Sequence, residues 1–241
     1  MSQDIDLEKD GVIDVKKGTT IREHIANVGV AMLLVSELER CGFDVIKSGF
    51  DDSNAYDDED TALTKRQQTI KNAGCEYSVS IHFNAYGDGD SFNSAEGVGI
   101  YIHSHYPKDS KTFATKVLNQ LSQGTKQKNR GITPAQLALC NCNTMGTKAS
   151  ILVECAFMTN QKEAVNMMGS MNFWEETAAE IAKGVCDYTG VMYVEKKDED
   201  KSNSDNLYKV QIGAFKNKSN ADKMLVKAKA AGFTDAFIQV Y

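Results

Sequence analysis

The sequence predicts an α/β fold: a mostly parallel, twisted sheet flanked by helices, with a small βαβ appendage at the carboxyl end. Three observations carry this expectation. Short apolar runs of strand length alternate with segments of helical period, as in parallel sheets whose crossovers are helices. Several helical segments are closed by a glycine, at Gly42, Gly74 and Gly190. The composition then changes abruptly near residue 195, which sets a separate piece at the end.

Taken in order, "IREHIANVGVAMLLVSELERC" (21–41) has apolar residues at 25, 28, 32, 35 and 38, the period of a helix packed on a core. "FDVIKSG" reads as a short buried strand, followed by the acidic loop "DDSNAYDDEDTA". "ALTKRQQTIKNA" (62–73) is a second helix. "EYSVSIHFNA" is a strand whose continuous apolar character suits a sheet covered on both faces. After a glycine and aspartate loop come a strand in "EGVGIYIHS", a helix over 109–123, a strand in "ASILVECAF" and an amphipathic helix in "FWEETAAEIAKGVCDYTG". Domain boundaries follow: a first domain over 1–194, a charged linker "EKKDEDKSNSDN" over 195–206, and a terminal piece over 207–241 that reads strand, helix, strand.

Composition narrows the function classes. The chain has 241 residues, 41% of them apolar, and a net charge of −6. Its pI is near 5.3, so nothing supports nucleic acid as the main partner. No apolar run is long enough to span a bilayer, and the polar, acidic start "MSQDIDLEKDG" does not read as a signal peptide. Six scattered cysteines, Cys41, Cys75, Cys140, Cys142, Cys155 and Cys186, read as reduced, buried thiols. The terminal piece holds six lysines against two aspartates, +4, which leaves −10 in the rest of the chain.

Three residues stand out by position: Glu23 opening the first helix, His82 at the end of one strand, and Glu154 near the end of another. Ligand crevices in open α/β sheets lie outside the carboxyl ends of the strands, so His82 and Glu154 are expected to face one cleft. Asn27, one turn after Glu23, would line the helix leading into it. Glu154 sits among apolar neighbours in "ILVECAF", where an unpaired charge is costly, so it is expected to be paired, metal-bound or held protonated for catalysis. His103 and His105 read as a solvent-facing pair before the turn at Pro107. His24 points about 100° away from Glu23 around the helix.

The stretches "REHIANVGVAMLLVSELERCGFDVIKSG", "LTKRQQTIKNAGCEYSVSIHFNA", "EGVGIYIHS", "NRGI" and "ASILVECAFMTNQKEA" resemble, in order and spacing, the zinc-dependent N-acetylmuramoyl-L-alanine amidases of the amidase 3 family. The resemblance covers about residues 19–190. It implies hydrolysis of the amide between N-acetylmuramic acid and L-alanine in peptidoglycan, by an endolysin or autolysin acting on the cell wall, extracellularly or on release by lysis. It implies zinc as cofactor, Glu23 and His82 as metal ligands, Glu154 as catalytic carboxylate, and Asn84 and Arg130 as substrate-contacting residues. The alternatives are a non-catalytic wall-binding protein with a degenerate amidase fold, or a zinc peptidase cutting the stem peptide.

One departure bears on the metal. The family carries its first zinc histidine in a glycine-histidine-glycine motif ahead of the position of Glu23. Here "DIDLEKDGVID" occupies that place, and no histidine precedes His24. The chain is therefore expected to be either the downstream part of a longer or split product, or an altered copy that binds zinc weakly. The tail, through "YKVQIGAF" and "GFTDAFIQV", resembles half of a sporulation-related (SPOR) repeat domain. That resemblance implies binding of peptidoglycan glycan strands, and the single repeat could pair with another chain.

Overall fold

Helix α1 (Glu23–Arg40) forms over the expected segment, but it buries Ala26, Val28, Val30 and Leu34, so of the positions 25, 28, 32, 35 and 38 picked by the apolar period only Val28 is buried. Gly42, at φ 89°, turns the chain out of the helix in the left-handed region that glycine enters without strain. The computed structural model describes residues 22–51, 61–87, 91–196, 213–230 and 236–240. The acidic stretch 52–60, most of the expected linker, the amino-terminal "DIDLEKDGVID" and most of "YKVQIGAF" lie outside the described residues.

The remaining elements of the first unit are α2 (Leu63–Asn72), β1 (Tyr77–Asn84), β2 (Val98–His103), α3 (Ser110–Gly124), β3 (Asn129–Ala135), α4 (Cys142–Met145), β4 (Ala149–Phe157), α5 (Gln161–Glu163) and α6 (Met171–Thr189). A π-helical turn, Ala164–Met168, follows α5. The four strands form one sheet in the order β1-β4-β2-β3. β1 and β4 run parallel, as do β2 and β3, while β2 and β4 are antiparallel. The expected α/β class holds, with two of the three pairings parallel.

Helices α1, α3 and α6 cover one face of the sheet and enclose the main core. On β4, Ile151, Val153 and Cys155 enter that core. The two-residue period sends Ser150, Leu152 and Glu154 to the opposite face. Helix α6 is capped by the Ser170 hydroxyl, which accepts from the Phe173 amide, and is closed by Gly190 at φ 76°. Gly184 lets α6 approach α3, since a Cβ there would lie 2.4 Å from the Val117 Cα. The opposite face carries a smaller core of Ile70, Leu139 and Met145 beneath α2.

Three strand expectations are corrected. In the terminal piece, read as strand, helix, strand, the described residues 213–215 and 236–240 form no strand. The first unit departs in both directions. "FDVIKSG" forms no strand. A strand exists only where a neighbour completes its backbone ladder, and a slot of about 610 Å³ runs between this segment and β1. Conversely, "NRGITPA" forms β3, which its polar composition did not announce. Pro134 is tolerated there because β3 is an edge strand.

The chain divides into two compact units, residues 1–196 and 197–241. Residues 191–194 belong to the first: the Arg40 Nε donates to the Val194 carbonyl at 2.8 Å, and the Tyr193 hydroxyl bonds Glu37. In the second unit, α7 (Lys218–Ala230) begins at Asn217, whose side chain accepts from the Ser219 amide at 2.8 Å. Lys218 and Asp222 pair one turn apart. Phe215, Val226, Phe237 and Val240 of this unit are exposed.

All six cysteines are free thiols, five of them buried. No helix among the described residues is long and apolar enough to cross a membrane.

Candidate active site

A row across the sheet holds most of the candidate residues. His82 of β1 stands opposite Glu154 of β4, which stands opposite Gly99 of β2. A Cβ on Gly99 would sit 3.4 Å from the Arg130 Cβ, so Arg130 of β3 ends the same row. Gly99 thus leaves the space between Glu154 and Arg130 free of a side chain. Immediately after His82 the β1/β4 register shifts, His82 facing Glu154 but Asn84 facing Phe157. Such irregularities re-aim strand ends and are frequent beside functional sites.

Glu23, in the first turn of α1, reaches His82. Its Oε1 lies 3.2 Å from His82 Nδ1 and accepts from Asn27 Nδ2 at 3.1 Å and from the Phe83 amide at 3.4 Å. Burial works to raise the Glu23 carboxyl, but the hydrogen bonds of His82, Asn27 and Phe83, with the charge of His82, outweigh it and hold the group below the usual carboxylate range. The other ring nitrogen of His82, Nε2, lies 3.0 Å from the Ser80 hydroxyl. Sequence reasoning missed Ser80, although the two-residue spacing that puts it on the face of His82 was available.

Glu154 behaves differently. Its Oε2 is buried and has no hydrogen-bond partner among the described residues. Burial pushes its carboxyl up to about 7, a rise that His82 opposes and Glu23 assists. A carboxyl held near neutrality can take and return a proton, the property a general base needs.

Arg130 is exposed, its guanidinium 4.8 Å from the centre of the Phe157 ring and one nitrogen donating to the Glu96 carbonyl at 3.2 Å. The Asn84 carbonyl accepts from the Met158 amide at 2.8 Å, anchoring the loop that follows β4 to the end of β1. A second carboxylate that the sequence did not flag, Glu163, is buried and holds the Gly97 and Phe157 amides at 2.8 and 2.7 Å. It fixes the strand ends around Arg130 and Phe157. The expected solvent-facing histidine pair is half corrected: His105 is exposed, but His103 is buried, and its Nδ1 accepts from the amides of His105 and Tyr106 at 3.2 and 3.1 Å. The turn's amides need an acceptor, and the imidazole supplies it.

Glu23 and His82 offer the donor types of a catalytic zinc. Two ligands on a tetrahedral metal, each at about 2.0–2.1 Å, lie roughly 3.3 Å apart, so the 3.2 Å between Glu23 and His82 suits two corners of such a site. A catalytic zinc takes three protein ligands and keeps the fourth position open. Among the described residues no third His, Cys, Asp or Glu joins the pair in a metal-holding group. As they stand, the described residues do not complete a zinc site.

Comparison with known proteins places the chain. A sporulation-specific N-acetylmuramoyl-L-alanine amidase of Bacillus subtilis (strain 168) is 28% identical over 176 residues, covering 73% of this chain and 62% of that protein. The N-acetylmuramoyl-L-alanine amidase CwlM of Bacillus licheniformis is 28% identical over 181 residues, covering 75% of this chain and 63% of the relative. The chain therefore spans less than two thirds of the length of both curated relatives. A crystal structure of an N-acetylmuramoyl-L-alanine amidase from Clostridium difficile 630 superposes with a TM-score of 0.60 at 26% identity, covering 73% of this chain and 90% of that one. Residues 190–239 match the SPOR domain model. Residues 9–187, the greater part of the chain, match the N-acetylmuramoyl-L-alanine amidase model, and the chain belongs to that family, whose members are generally zinc-dependent.

Proposed function

We propose that this chain hydrolyses the amide joining the lactyl group of N-acetylmuramic acid to the first L-alanine of the peptidoglycan stem, as an endolysin or autolysin. The observation that carries the reading is Glu154: a buried carboxyl with one unpartnered oxygen, between the side-chain-free Gly99 and the imidazole of His82. In the proposed reaction a water oxygen adds to the amide carbonyl carbon while Glu154 takes the water's proton. The carbon–nitrogen bond then breaks as Glu154 passes that proton to the departing alanine nitrogen, leaving a carboxylic acid and an amine. Arg130, steadied on the Phe157 ring, and Asn84 are assigned to polar groups of the substrate.

Glu23 and His82 are the two zinc donors this reading gives the chain, and they need a third. That gap favours one rival, a wall-binding protein without turnover. The tail supports retention at the wall in either case: a SPOR-like piece with net +4 would hold the enzyme near glycan strands and raise its effective concentration there. Its exposed Phe215, Val226, Phe237 and Val240 suit pairing of the single repeat with a second copy.

Digestion of purified peptidoglycan in the presence of zinc tests the function. New amino ends on the alanine that heads the stem are expected, and Glu154→Gln is expected to lower their rate by about 10²–10⁴-fold without loss of fold. New ends on a later stem residue mean a peptidase, full activity in Glu154→Gln removes its assigned role, and binding without cleavage selects the non-catalytic reading.

A further inference from the structure

Arg130 is seated at two points, and one buried carboxylate sets both. Its Nη1 donates to the Glu96 carbonyl at 3.2 Å, and its guanidinium lies 4.8 Å from the centre of the Phe157 ring. The Glu96 carbonyl and the Gly97 amide belong to one peptide group, and that amide donates to Glu163 Oε1 at 2.8 Å. The Phe157 amide donates to Glu163 Oε2 at 2.7 Å. Glu163 is buried, so losing either bond would leave a polar group unsatisfied away from water. Gly97 stands at φ 106°, where a Cβ would run into the Lys128 carbonyl oxygen, so the turn that aims the Glu96 carbonyl requires glycine.

The two seats leave part of the guanidinium unused. Among the described residues Nε and Nη2 of Arg130 make no hydrogen bond, no carboxylate forms an ion pair with it, and the residue is exposed. These two nitrogens form one side of a planar fork that matches the two oxygens of a carboxylate. Arg130 also starts at a set distance from Glu154. Adjacent strands are about 4.8 Å apart, so Arg130, two strands from Glu154 across Gly99, begins about 10 Å from it. An extended peptide advances about 3.3–3.6 Å per residue, so a stem cut at its first amide beside Glu154 brings its second or third residue to Arg130. The lactyl group of N-acetylmuramic acid is tied up in that amide, so the carboxylates of such a substrate are those of the stem and not of the glycan.

We propose that Arg130 binds a carboxylate on the second or third residue of the stem peptide, and that Glu163 is the positioning residue that keeps it aimed there. The proposal rests on the amidase reading given above and adds a preference to it: a stem with a free carboxylate is taken over one that carries a carboxamide in its place.

Two soluble N-acetylmuramoyl tripeptides serve as probes, one with free carboxylates on its second and third residues and one with carboxamides there. Binding is measured by calorimetry on the full chain carrying Glu154→Gln, so that bound peptide is not consumed. The carboxylate form is expected to bind with a Kd of about 1 mM or tighter and at least about tenfold more tightly than the carboxamide form. Arg130→Gln should bring the two to equal affinity. Glu163→Gln offers one acceptor oxygen to two amides, and should cut the preference to about threefold or less while leaving carboxamide binding unchanged. Phe157→Leu removes the ring seat alone and should cut the preference likewise, which covers the case in which Glu163→Gln does not fold.

Equal binding of the two peptides before the Arg130 substitution, or no binding of the carboxylate form, would overturn the carboxylate site. A preference that survives Glu163→Gln and Phe157→Leu, or equal weakening of both peptides, would overturn the positioning role. No readout here uses hydrolysis: a chain that shows the preference and does not cleave fails the proposed activity alone, and one that cleaves without the preference fails this inference alone.

Discussion

Val79 and Ile151 stand opposite each other on neighbouring strands, yet Ile151 is fully buried and Val79 only partly. The difference divides the molecule. β4 has a strand on each side and is buried along its length except at Glu154. Among the described residues β1 has one neighbour, β4, and on its other side borders a slot of about 610 Å³. Glu154, the proposed base, lies on β4, where burial holds its carboxyl near neutrality, and the two proposed metal donors, Glu23 and His82, lie on or against β1. Proton transfer needs a fixed, poorly hydrated carboxyl, which a central strand supplies. A metal site needs several elements to converge, and among the described residues α1 and β1 are the two that do so here.

The sharpest way to break this comparison is truncation at the two opposed positions. Ile151→Ala should cost about 2–5 kcal/mol in urea unfolding, because it leaves a cavity in close-packed surroundings. Val79→Ala should cost less than about 1 kcal/mol, since the slot already exposes that side chain. Equal costs would mean that β1 is as enclosed as β4.

A smaller effect probes the buried half from within. Glu180 of α6 is buried against Gly124 at the end of α3, with neither carboxyl oxygen in a hydrogen bond of good geometry among the described residues, the Thr125 amide lending it only a weak opposing pull. Burial, then the charge of Glu176, pushes its carboxyl up to about 8. A carboxyl whose pKa is higher in the folded chain favours folding while protonated. That contribution is complete below the ordinary carboxylate range and is lost as pH rises through about 8. Glu180→Gln should therefore leave thermal stability nearly unchanged at pH 5 and raise it at pH 9 by about 2 kcal/mol, roughly 4–8 °C. A Tm difference independent of pH would show that Glu180 is solvated.

The buried half was also the legible half. β4 announced itself as an apolar run with one carboxylate inside it, and the cost of burying that charge marked Glu154 for function. The apolar period of α1 fixed the place of Glu23 in its first turn. "FDVIKSG" misled because an apolar run says that a segment can be a strand, not that a partner stands beside it. β3 was missed for the reverse reason: its residues are polar, and β2 organises it through main-chain pairing. Gly99 and Glu163 act through positions across strands or loops, of which a single sequence carries little trace, whereas Ser80 was within reach through its two-residue spacing from His82. His103 was misjudged because the acceptor its turn requires is a tertiary matter.

The central claim is the proposed site, with Glu154 as base and Glu23 and His82 as metal donors, a set that the described residues do not carry to three. Zinc titration of the purified full chain, with no other polypeptide present, tests it most directly. The account predicts a Kd of about 1 µM or weaker, lost in both Glu23→Gln and His82→Ala. One equivalent of zinc held at nanomolar affinity by the chain alone would contradict it.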